Sequence, residues 1–181
     1  MSISANIHED LIQGCLRNDE RARRKLYQQY APGMYNVCKR MVNDEDDAKD
    51  VLQEVFISAF SNIGNYRGDA TFGAWIKRIA VNKSINFLNR KRAELVPLGD
   101  SDPADQSAYD EDGDKWSVET VRSALRKLPD GFRVVVSLYL FEGYDHQEIG
   151  EILGISPSTS KTQYMRGKKK LLNLLQDEIP Q

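Results

Sequence analysis

The sequence predicts an all-α protein, built as two small helical domains joined by a flexible acidic linker. Three observations lead there. Apolar residues recur at three-and-four spacing through nearly every segment outside 94–115. The one run with strand propensity, Val134-Val-Val-Ser-Leu-Tyr-Leu-Phe141, has no second convincing strand to pair with, so it is read as a buried helix. Between Glu94 and Asp114 there are eight acids, no base, and Pro97, Gly99, Pro103 and Gly113, a composition with little to bury. The predicted boundaries are 1–93, 94–115 for the linker, and 116–177.

The first domain reads as a helical bundle. His8 to Arg17 suggests a short helix with Leu11, Ile12, Cys15 and Leu16 inward. Asp19 is placed to cap a second, with Ala22, Leu26 and Tyr30 on one face. Pro32-Gly33 predicts a break, and a third helix continues through Tyr35, Val37, Cys38 and Met41. Asn43-Asp44-Glu45-Asp46-Asp47 supplies a cap and an acidic first turn, which suits the positive end of a helix dipole. The helix it opens, roughly Asp44 to Asn62, turns Ala48, Val51, Leu52, Val55, Phe56, Ala59 and Phe60 one way and Asp47, Asp50, Gln53 and Glu54 the other.

A loop, Gly64-Asn-Tyr-Arg-Gly68, leads to a helix from about Thr71 to Arg92. Thr71 to Ala93 carries Lys77, Arg78, Lys83, Arg90, Lys91 and Arg92 without an acid, mixed with Tyr66, Phe72, Trp75 and Phe87 and with Asn82, Asn86 and Asn89. Aromatic rings can stack on unpaired bases while Lys and Arg hold phosphates. The same Phe72 and Trp75, at helical spacing, would equally serve as core residues of the bundle.

The second domain carries the most specific pattern. Trp116 to Leu128 resumes helix, Pro129-Asp130-Gly131 interrupts it, and Arg133 to Phe141 forms a supporting helix. Asp145 is an N-cap with Glu148 three residues on, a capping box; Gly154 ends that helix; Ser156 caps the next, and Pro157 fits its first turn. This is a helix-turn-helix pattern. On the second helix Tyr164, Gly167, Leu171 and Leu175 share one face with Ser160. Ser158, Lys161, Thr162, Met165, Arg166 and Lys169 point the other way, and no acid occurs from Ser158 to Leu172. A basic, hydroxyl-bearing face suits a DNA major groove; the plain alternative is a solvated basic helix in a bundle.

Composition narrows the classes. The formal net charge over 181 residues is only −2, so bulk charge does not announce a nucleic-acid binder, but the blocks of opposite sign give segments different tasks. Cys15 and Cys38 form no Cys-x-x-Cys, and with only His8 and His146 no zinc site, other metal site or cofactor is expected. Met1 to Asp10 is short and polar, and no apolar run is long enough for a membrane span, so a cytoplasmic protein without membrane insertion is expected.

In two blocks and a linker, nearly the whole chain resembles bacterial RNA polymerase sigma factors of the extracytoplasmic-function group. The first block, with Asp47-Ala-Lys-Asp-Val-Leu-Gln-Glu-Val-Phe56 and Tyr66-Arg-Gly-Asp-Ala-Thr-Phe-Gly-Ala-Trp-Ile-Lys-Arg-Ile-Ala-Val-Asn82, is similar to sigma region 2. The second, with Leu128-Pro-Asp130, Glu142-Gly-Tyr144 and Ser158-Thr-Ser-Lys-Thr162, is similar to region 4. The resemblance implies a subunit that binds core RNA polymerase and directs promoter-specific initiation without being an enzyme. It implies docking on polymerase through Asp50, Gln53, Glu54 and Phe56. It implies reading of the melted −10 element through Tyr66, Arg67, Phe72, Trp75, Lys77, Arg78 and Asn82. It implies reading of the −35 duplex through Ser158, Thr159, Lys161, Thr162, Gln163, Arg166 and Lys169. Promoter DNA, duplex and melted, and an anti-sigma protein are the further partners it implies. Ser160 replaces a frequent apolar residue, and Gln163 stands where a base is common. Two rivals compete with it: a free-standing helix-turn-helix regulator with a helical sensor domain, which leaves Thr71 to Arg92 unexplained, and a nuclease, which lacks clustered acids for a metal.

Overall fold

Asp19 opens a long helical stretch of the first block: its carboxylate accepts the amide of Arg21 at 2.8 Å and the chain stays helical for 23 residues. The structure, a computed structural model, describes residues 8–94 and 116–177. Among them are eight α-helices and no strand: α1 (Glu9–Leu16), α2 (Glu20–Val42), α3 (Glu45–Ser61), α4 (Phe72–Glu94), α5 (Val118–Lys127), α6 (Asp130–Leu140), α7 (His146–Leu153) and α8 (Pro157–Asp177). The all-α expectation holds, and Val134–Phe141 is helix up to Leu140. The acidic linker lies outside the described residues, apart from Glu94 at the end of α4. No helix among the described residues is long and apolar enough to cross a membrane.

One expected break is absent. The helix runs straight through Pro32 and Gly33 as part of α2. A proline inside a helix costs about 3 kcal/mol. Beyond it Met34, Val37, Cys38 and Met41 are all buried, and each apolar side chain so buried contributes about 1.5–3 kcal/mol. That burial outweighs the lost backbone bond, and Pro32 and Gly33 themselves sit on the exposed side. The helix stops instead at Asn43, which takes a left-handed conformation (φ 66°) and donates its amide to the Lys39 carbonyl. Asp44 then caps α3 by accepting the amides of Asp46 and Asp47, both at 2.9 Å. The Asp47 amide is the larger cause that holds its carboxyl below the usual carboxylate range.

α2, α3 and α4 pack on one another around Leu26, Met41, Val51, Val55, Ile76 and Val81. Cys38 is fully enclosed there, and burial pushes its thiol up to about 11. In the second block, α5, α6 and α7 all pack on α8, with Ala124, Leu125, Leu128, Val136, Leu171 and Leu175 inside. A Cβ on Gly167 would stand 2.7 Å from Val136 Cγ2 and 3.2 Å from Phe132 Cβ, so only glycine lets α8 cross α6 this closely.

The two blocks share a core. Val134, Val135, Leu138 and Ile149 belong to the same buried cluster as the side chains of α1 to α4, and α6 packs on α2. A buried cation seals the join. Arg133, 2 % exposed, donates to the carbonyls of Leu128 (2.8 Å) and Met41 (3.2 and 3.3 Å) and to Asp130 (2.5 Å). Such a cation is tolerable because its donors are met. Nothing in the spacing of Arg133, read in the sequence as the first residue of a supporting helix, announces that role.

Candidate nucleic-acid and polymerase interface

The helix-turn-helix is built from its caps outward. Asp145 accepts the amide of Glu148 at 2.8 Å, and the Glu148 carboxylate in turn accepts the Asp145 amide at 2.8 Å. Gly154 turns the chain at φ 68°, and the Ile155 amide then reaches the Gly150 carbonyl at 3.0 Å. A Cβ on Gly150 would lie 2.7 Å from the Ile155 carbonyl, so the tight turn requires this glycine as well. Ser156 accepts the amide of Thr159 at 3.0 Å and starts α8. Ser158, Thr159, Lys161, Thr162 and Arg166 are exposed on α8, and Gln163 and Lys169 are half-exposed. The opposite face buries Ser160, Gly167, Leu171 and Leu175. The Thr162 hydroxyl bonds back to the Ser158 carbonyl at 3.0 Å.

Ser160 finds its partner inside the motif. Its hydroxyl, fully buried, lies 3.0 Å from His146 Nδ1, and the His146 ring stacks on Tyr139 at 4.7 Å. A polar residue on the buried side of the second helix is thus answered by one at the start of the first. The unusual Ser160 is visible in the sequence; its partner, fourteen residues away in the chain, is not.

On the other block the aromatic residues of the 65–75 segment nest together. Tyr66 meets Phe72 edge-on at 5.6 Å and Trp75 at 5.5 Å, and Phe72 lies 5.4 Å from Trp75. The Tyr66 hydroxyl donates to the Ala70 carbonyl at 2.7 Å. Burial raises the Tyr66 hydroxyl above its ordinary range. Phe72 is a core side chain, 4 % exposed, so it backs Tyr66 and Trp75 from beneath. Tyr66, Trp75 and Lys77 are half-buried, while Arg67, Arg78 and Asn82 are exposed. A cleft of about 470 Å³ runs between this loop, α4 and the turn before α7.

The acidic face of α3 is also formed. Asp50 and Gln53 are exposed and Glu54 is half-exposed; Glu54 takes Arg90 at 3.2 Å and Lys83 at 3.8 Å from α4. Phe56 points inward, 4.7 Å from the Tyr27 ring and 5.8 Å from Phe60. The apolar residue on the acidic stripe is Ile57, 67 % exposed, one turn after Gln53 and Glu54. The inward spacing of Ala48, Val51, Leu52, Val55, Phe56 and Ala59 already sets Phe56 apart from that stripe, and the same spacing leaves Ile57 outward.

Residues 26–94 match Sigma-70 region 2, and residues 119–171 match Sigma-70, region 4. The ECF RNA polymerase sigma factor SigW of Bacillus subtilis is 32% identical over 179 residues, which cover 92% of this chain and 95% of that one. The chain belongs to the extracytoplasmic-function sigma factors. The RNA polymerase sigma-H factor of Pseudomonas aeruginosa is 28% identical over 181 residues, with 93% of each chain covered. Two solved structures share the fold. CnrH in complex with the cytosolic domain of CnrY aligns at a TM-score of 0.56 and 24% identity, covering 93% of this chain and 97% of that one. The sigma factor RpoE in complex with the anti-sigma factor NepR from Bartonella quintana aligns at 0.60 and 16% identity, covering 86% and 98%.

As a sigma factor, the protein binds core RNA polymerase and directs promoter-specific initiation. Sigma factors are initiation factors without catalysis of their own. The rival of a free-standing helix-turn-helix regulator is not favoured, because the match over residues 26–94 lies outside the helix-turn-helix.

Proposed function

We propose a division of labour over the sigma factor's three exposed surfaces. The stripe of Asp50, Gln53, Glu54 and Ile57 on α3 docks on core polymerase, with Phe56 shaping it from within. Tyr66, Arg67, Trp75, Lys77, Arg78 and Asn82, with Phe72 beneath, take the melted −10 strand. Ser158, Thr159, Lys161, Thr162, Gln163, Arg166 and Lys169 read the −35 duplex. Residues 1–93 and 116–177 act as the two functional units, with 94–115 between them. The protein works in the cytoplasm, where the polymerase is.

The observation that supports this most is the segregation of chemistry on the surface. Exposed cations and hydroxyls of α8, nested aromatics with cations on the 65–82 segment, and acids on α3 each form a separate face. Opening duplex DNA costs about 1.4 kcal/mol per base-pair step. Each captured base returns about 1–3 kcal/mol by stacking on an aromatic side chain. The half-buried Tyr66 and Trp75 rings are the surface that can collect this. An anti-sigma protein is a further partner on this reading. The structural relative RpoE is held by the anti-sigma factor NepR.

Trp75→Ala separates the roles. Binding to core polymerase stays unchanged, and permanganate reactivity of promoter thymines appears roughly 5- to 150-fold more slowly, one stacked base being worth about 1–3 kcal/mol. A thermal melt reports on the fold. A folded variant that opens promoters at the unaltered rate removes Trp75 from the −10 surface.

A further inference from the structure

The basic face of α4 is not open to solvent along its whole length: it is partly covered at Lys77. The turn after α6 lies over it. Lys77 Nζ donates to the Glu142 carbonyl at 2.9 Å and stands 3.9 Å from its carboxylate. Arg40 of α2 reaches the same carboxylate at 2.5 Å, and only 4% of the Glu142 side chain is exposed. Two residues on, the Tyr144 ring meets Lys77 again and Arg78 beside it: Lys77 Nζ is 5.6 Å and Arg78 Cζ 5.9 Å from its centroid. Gly143, at φ 77°, gives the turn the bend that brings carboxylate and ring to one place.

That pair has the chemistry of a strand of DNA. A single strand offers a negative group to Lys and Arg and a flat ring with a π-face beside it. We infer that the Glu142-Gly143-Tyr144 turn is an internal competitor for the single-stranded DNA surface. The carboxylate takes the place of a phosphate and the phenol ring that of a base. The inference rests on the assignment of Lys77 and Arg78 to the melted strand. Arg133 on the Met41 carbonyl, and Asn43 donating to the Arg126 carbonyl at 2.8 Å, tie α6 and α5 to α2. They hold the turn over α4 at high effective concentration. The strand and the turn cannot occupy Lys77 and Arg78 together, so the free chain binds single strands weakly until the turn departs.

The test uses the full chain, free in solution, and a short fluorescein-labelled oligothymidylate as the strand. The chain carrying Glu142→Gln and Tyr144→Ala binds it about tenfold or more tightly than the unaltered chain, a coupling of ordinary size. Adding Lys77→Ala and Arg78→Ala abolishes that gain. Equal affinity of the unaltered and Glu142/Tyr144-substituted chains overturns the competition. A gain that survives loss of both cations also overturns it. Should the substituted turn fail to fold, hydrogen exchange in the unaltered chain decides. Saturating oligothymidylate speeds exchange at residues 142–144 if the turn is displaced, and unchanged or slowed exchange overturns the inference. The underlying assignment is checked separately by promoter opening with Lys77→Ala/Arg78→Ala holoenzyme. Normal opening there removes the −10 assignment, whereas impaired opening with no tightening by the turn variant removes the competitor alone.

Discussion

Ser160 and His146 show how much a single residue can hide. From the sequence Ser160 is an oddity, a hydroxyl where the buried face of α8 calls for an apolar group. In the fold it is half of a hydrogen bond that ties α7 to α8 at 3.0 Å. A buried polar atom that loses its partner costs about 1–3 kcal/mol, while replacing both partners with apolar groups can be nearly neutral. His146→Leu and Ser160→Val should therefore each destabilise the chain by about that amount, and the pair together by clearly less than the sum. Denaturant titration of the four proteins measures this; strictly additive losses would contradict a coupled pair. The same logic explains why the roles of Glu142, Arg40 and Arg133 are not legible in the sequence. Charged residues near a turn or in a helix read as solvated, and only the fold brings Met41 and Arg133, or Arg40 and Glu142, to one place.

At the scale of elements, local chemistry is largely legible where caps and glycines carry it. The Asp145–Glu148 box, the Gly154 turn and the Ser156 cap all stand where the residue types put them. Pro32 misleads because its local cost is real and the burial on either side of it is larger. Gly167 is the element-level feature whose role the helical period understates: it marks a core face, but the need for glycine comes from α6. Gly167→Ala should destabilise the chain by about 1–3 kcal/mol through overpacking against Val136, although alanine is the better helix former. A stability gain on denaturant titration would contradict the close crossing. The exposed face of α8 makes a separate claim. Arg166→Ala should weaken promoter binding by about 1–3 kcal/mol and relax preference at one −35 base pair, if its guanidinium forks onto a guanine. Competition binding across single-base −35 variants measures it, and an unaltered preference profile would remove Arg166 from base reading.

For the whole molecule, two blocks are readable from charge and motif order, and residues 26–94 and 119–171 match the two sigma regions. How the blocks meet is not readable there. That depends on Val134, Val135, Leu138 and Ile149 joining the core of α1 to α4, and on the buried Arg133 cation, whose partner Met41 lies far off in the chain. Telling Phe56 from Ile57 as the apolar member of the α3 stripe requires weighing the inward spacing against the motif, and burial decides it for Ile57. The division of labour makes one requirement of the molecule as a unit: it must bring polymerase to a promoter through α3 and read DNA through the rest. Start-site-resolved transcription in vitro with core polymerase tests this most directly, with the unaltered chain, without it, and with Asp50→Lys/Glu54→Lys. Defined new start sites should appear only with the unaltered chain, and the charge-reversed chain should yield none. The same start sites with the charge-reversed chain, or no dependence on the chain at all, would contradict it.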